Sequence, residues 1–116
     1  MVDDQGYGYL SEKWTNLTDA GERPSNFSDF SVNTDFPVFR LADVYLMLAE
    51  AVVKGGEGSS RGIALGYVNQ LRERAFGDNS GNITDGQMTA DFILDERARE
   101  LYWECTRRTD LVRYGK

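Results

Sequence analysis

The run FRLADVYLMLAEAVVK occupies positions 39–54. Leu41, Ala42, Val44, Tyr45, Leu46, Leu48, Ala49, Ala51, Val52 and Val53 leave it a polar stripe of only Asp43, Glu50 and Lys54, with Met47 between them. A helix that is apolar round most of its circumference must be covered on most of its faces. Gly55 and Gly56 supply a stop, and Ser59 or Ser60 can cap the helix that follows.

Working outward, Ala64, Tyr67, Val68, Leu71 and Ala75 recur at helical spacing, which predicts a second helix over 60–75 ended by Gly77. Positions 78–86 read as a polar loop. Thr89 or Asp91 opens a third helix that the pattern carries to about Cys105, with Leu94, Ala98, Leu101, Tyr102 and Cys105 on its apolar face. A short fourth helix is expected over 109–114, stopped by Gly115. The glycine turn between the first two helices is short, so they pack antiparallel, as in TPR-like arrays. No second copy of the pair follows. Arrays close their cores with several units, so the chain reads as a piece of something larger.

The expected fold is therefore all-α, with TPR-like antiparallel helix pairs over 39–116. Positions 1–38 differ: Gly, Asn, Asp, Ser and Thr dominate and no helical period persists. They are expected to be irregular, with a short strand near Gly8–Trp14 as an option. Tyr7, Tyr9, Trp14, Phe27 and Phe30 stand among these polar residues. Such aromatics either stack on sugar rings or plug a loop onto a core, and the plug is the preferred reading.

Composition excludes several functions. A net charge of −6 argues against nucleic acid and against docking on an anionic membrane. There is no histidine, which removes the usual general base and the commonest metal ligand. The single cysteine, Cys105, forms no intrachain disulfide; on an apolar helix face it would act as a small hydrophobe. No run has the length of a membrane span, and the start lacks a signal-peptide pattern. The glycine-rich stretch 55–62 lacks the Gly-Lys-Ser/Thr core of a phosphate loop and follows a helix rather than a strand. Counted from Asp78, the positions where a calcium loop needs Gly and Glu hold Ile83 and Thr89. No cofactor or metal is implied.

The chemistry-bearing stretch is DERARELYWE, positions 95–104. Glu96, Glu100 and Glu104 succeed one another at i+4, and like charges so placed repel by roughly 0.2–0.5 kcal/mol per exposed pair. Cations are at hand: Arg107, Arg108 and Arg113 follow, with Asp110 among them, and Arg72 and Arg74 end the second helix. Glu96, Glu100, Glu104, Arg107, Arg108, Asp110 and Arg113 are thus expected to form a structural ion-pair network that locks the third and fourth helices together, since the guanidinium fork holds two carboxylate oxygens at once. The rival reading is a glycosidase carboxylate pair. The neighbouring arginines favour the structural reading, because they keep carboxylates ionised.

These motifs resemble those of the SusD/RagB family. Arg40 to Ala51 is similar to its R-x-x-E-x-Y-L-x-x-A-E-A helix, with Asp43 where Glu is usual. Asn69, Arg72, Arg74 and Ala75 fit N-x-x-R-x-R-A. From Leu94 to Arg113 the chain looks like I-L-x-E-R-x-R-E-L-x-x-E-x-x-R-R-x-D-L-x-R, with Cys105 standing where the family often has Gly. The resemblance covers 39–115 and implies a fragment of a much longer, lipid-anchored, surface-exposed outer-membrane protein. Such a protein binds oligosaccharides or other nutrients for a TonB-dependent transporter and does no chemistry on them. No ligand-binding residue is carried over, because the matching motifs are architectural. A TPR-like protein-interaction scaffold is the alternative, and a carboxylate glycosidase comes third. Alone, the chain is expected to expose apolar surface on the first helix, and so to self-associate or be a monomer of low stability.

Overall fold

The computed structural model describes residues 13, 17, 18, 20–23, 25 and 37–116. The chain divides into two compact units, Met1–Pro37 and Val38–Lys116. In the first, Thr18 closes a tight turn: its backbone N–H donates to the Glu22 carbonyl and its hydroxyl accepts from the Glu22 N–H. All but Lys13 of the segment named above as an optional strand, and the five aromatics named with it, lie outside the described residues.

The second unit is all-α. Helix α1 spans Leu41–Val53, α2 spans Arg61–Phe76, α3 spans Ala90–Glu100 and α4 spans Arg107–Arg113. Single 3-10 turns at Asn79–Gly81 and Asp85–Gln87 punctuate the α2–α3 connection. The helix boundaries have local causes. Arg40, in extended conformation, precedes α1, so Phe39 stays outside the helix. The Ser60 hydroxyl accepts from the Ile63 N–H at the start of α2, and Thr89 does the same for Phe92 at the start of α3. Gly77 ends α2 at φ 79°, a left-handed conformation open to a residue without Cβ.

Helices α1 and α2 form the antiparallel, TPR-like pair, with α3 against α1. Ala42, Leu46 and Ala49 of α1 meet Ala64, Val68 and Leu71 of α2, all buried. The small Ala49 and Ala64 allow close approach of the two helices. Tyr45 and Tyr67 stack at 4.2 Å along this seam. Ile83, Met88 and Ile93 complete the core.

The α2–α3 connection is pinned to α2 rather than left as a solvated loop. The Asn69 amide pairs with both backbone groups of Ile83, at 3.1 and 2.9 Å, as a strand neighbour would. Arg72 donates to the Gly81 carbonyl. Gly81 packs under the Phe76 ring so closely that any side chain there would overlap it.

The fourth helix starts at Arg107, two residues earlier than expected, and the third departs most from the sequence reading. α3 stops at Glu100, five residues short of Cys105. Residues 101–105 turn away, with Trp103 at φ 65° and Cys105 at φ 61°. Two left-handed non-glycine residues cannot continue a right-handed helix. Cys105 and Tyr102 are consequently exposed instead of core, and Ile93 takes the buried role. On α2, Ala75 is likewise exposed. No described helix is long and apolar enough to cross a membrane.

Candidate functional site

The charged motif residues fall into three connected groups. The deepest is centred on Arg97 of α3, 3% exposed. Its Nε donates to Asp110 Oδ2 of α4 at 2.9 Å and its Nη1 to Asp43 Oδ1 of α1 at 2.7 Å. Asp110, 1% exposed, accepts a further bond from Arg113 Nη2 at 2.9 Å. Arg113 then forks onto Glu50 of α1, at 3.0 and 2.6 Å. Lys54 donates to Glu50 from one turn on, at 2.7 Å. The result is an alternating chain, Asp43–Arg97–Asp110–Arg113–Glu50–Lys54, that begins and ends on α1. Its three acids and three bases cancel, and the buried members Arg97, Asp110 and Glu50 each meet two partners of opposite sign, which offsets the cost of burying their charge.

Each neighbour acts on the others. Burial pushes the Arg97 guanidinium toward its neutral form, but the Asp110 and Asp43 carboxylates outweigh it and hold the group above its ordinary value. Burial alone would raise Glu50; Lys54 and Arg113 overcome it and the carboxyl sits below its usual range. Tyr114 lies under Lys54 Nζ, 3.7 Å from its ring centre. Burial, with the Glu50 charge beside it, pushes its hydroxyl up to about 12. That buried hydroxyl has no hydrogen-bond partner among the described residues.

The second group is built on Arg40, at the entrance to α1. Its Nε and Nη2 hold both oxygens of Glu104 at 2.8 and 2.7 Å. Nη1 donates to Glu100 Oε1, and Nη2 also donates to the Glu100 carbonyl, both at 2.6 Å. This arginine thus grasps the carbonyl end of α3 and the turn beyond it. The hydrogen bonds it donates to Glu104, set against burial, raise its pKa further. Arg74 reaches Glu100 from α2, at 2.6 and 2.7 Å.

In the third group Glu96 Oε2 accepts from Arg72 at 2.8 Å and from Arg99 at 2.9 and 2.6 Å. Phe92 lies under both guanidinium groups.

The seven residues singled out from sequence are therefore not one cluster between α3 and α4. Glu96 turns to α2, Glu100 to α1 and α2, and Glu104 to α1. Asp110 and Arg113 join the buried chain. Arg107 donates to the Leu94 carbonyl at 2.9 Å, and its approach to Asp95 is 3.9 Å in solvent. Arg108 has no ion-pair partner among the described residues and is exposed. Sequence reasoning passed over Arg40, Asp43, Glu50, Lys54 and Arg97 as network members. A signal was present: three charges on one stripe of an otherwise apolar helix need partners when that helix is covered.

For acid–base chemistry the geometry is poor. Both Glu104 oxygens are occupied by Arg40, and both Glu100 oxygens by guanidinium groups. Neither carboxylate is presented to a substrate. Among the described residues no group of three or more His, Cys, Asp or Glu could hold a metal ion.

The sequence pattern of the SusD family matches residues 2–116. The starch-binding protein SusD of Bacteroides thetaiotaomicron is 41% identical over 105 residues, which is 89% of this chain and 17% of that protein. A SusD-like protein of Formosa agariphila is 39% identical over 115 residues, 97% of this chain and 20% of that protein. The chain thus spans about a fifth of the length of these relatives.

Proposed function

The chain belongs to the SusD family, and from that premise we propose that it is part of a nutrient-binding protein, not of an enzyme. The ligand class is an oligosaccharide, and the parent works at the outer membrane, lipid-anchored on the cell surface, delivering its ligand to a TonB-dependent transporter. Residues 39–116 are a helical part of a larger domain. The ion-pair network, Glu96, Glu100, Glu104, Asp110 and Arg113 with their arginine partners, is architectural.

One observation carries the reading: family identity extends over nearly the whole chain, and one relative so matched is a starch-binding protein. The geometry supports it, since the acids that would have to do glycosidase work are bound by arginine. Affinity electrophoresis of the longer polypeptide through gels cast with soluble starch tests it, with a panel of other polysaccharides beside it. Retardation by at least one glycan, with no new reducing ends, is expected. Release of reducing ends would replace this reading with the glycosidase. Failure with every glycan together with capture of a peptide would replace it with the TPR-like scaffold.

A further inference from the structure

We draw no further inference here: the strongest candidate, the groove beside the turn after α3, where Tyr102 and Trp103 stand more than half exposed next to Ala98, Leu101 and Thr106, is an unpartnered apolar surface, and nothing in the structure shows what covers it.

Discussion

Two sides of α1 are held by different physics. Toward α2 it presents Leu46 and two alanines to an apolar seam. Toward α3 and α4 it presents Asp43, Glu50 and Lys54 to the alternating chain of charge around Arg97 and Asp110. The apolar seam is non-directional: contact area sets its strength, and neighbours can slide or repack at modest cost. The charged side is directional. Each guanidinium fixes the angle and register of its partners, and removing one member takes an opposite charge from the neighbours it held. α4 is only seven residues long, too short to be stable alone. It is fixed by charge where α2 is fixed by packing.

The sharpest break comes at the buried pair. Asp110→Ala leaves the buried Arg97 with Asp43 as its one remaining carboxylate and is expected to cost about 3 kcal/mol, read from the midpoint of urea unfolding. A loss below about 1 kcal/mol would mean that water already reaches the site. On the apolar side, Leu46→Ala at a fully buried position should cost about 3 kcal/mol, with α4 still seated. The two variants therefore differ in kind: the first should release α4 to rapid amide exchange, the second should weaken the unit as a whole.

A milder break lies at Glu50. Its folded carboxyl is held below the ordinary value of 4.5. Its contribution is thus complete above about that pH and is lost as pH falls through the lower folded value. Glu50→Gln should cost about 1 kcal/mol at neutral pH, since Arg113 and Lys54 can both turn to water. It should also flatten the acid limb of the stability profile below pH 4.5. An unchanged acid limb would remove Glu50 from the account. The smallest effect is a gain: Cys105→Gly relieves a left-handed backbone and should stabilise by up to about 1 kcal/mol. A loss would show that the exposed thiol side chain packs better than its geometry suggests.

The same contrast explains what was legible in the sequence. Apolar spacing predicts α1 and α2, and the caps Ser60, Gly77 and Thr89 are local signals that the structure uses as written. The end of α3 was not legible. Glu96, Glu100 and Glu104 repeat as if the helix continued, yet Glu104 meets Arg40, sixty-four residues away, because the helix has ended. Nothing local encodes that capture. The charged residues were legible as a network; their partners were not. Periodicity reports which face a residue occupies, and an ion pair depends on which helix that face meets.

A double-mutant cycle at Arg97 and Asp110 tests most directly whether these charges hold helices in place. Arg97→Met with Asp110→Leu removes the buried pair together, leaving Asp43 and Arg113, both nearer solvent. The account predicts that the double variant is more stable than the sum of the single losses by about 2 kcal/mol or more. Losses that add to within about 0.5 kcal/mol would contradict it.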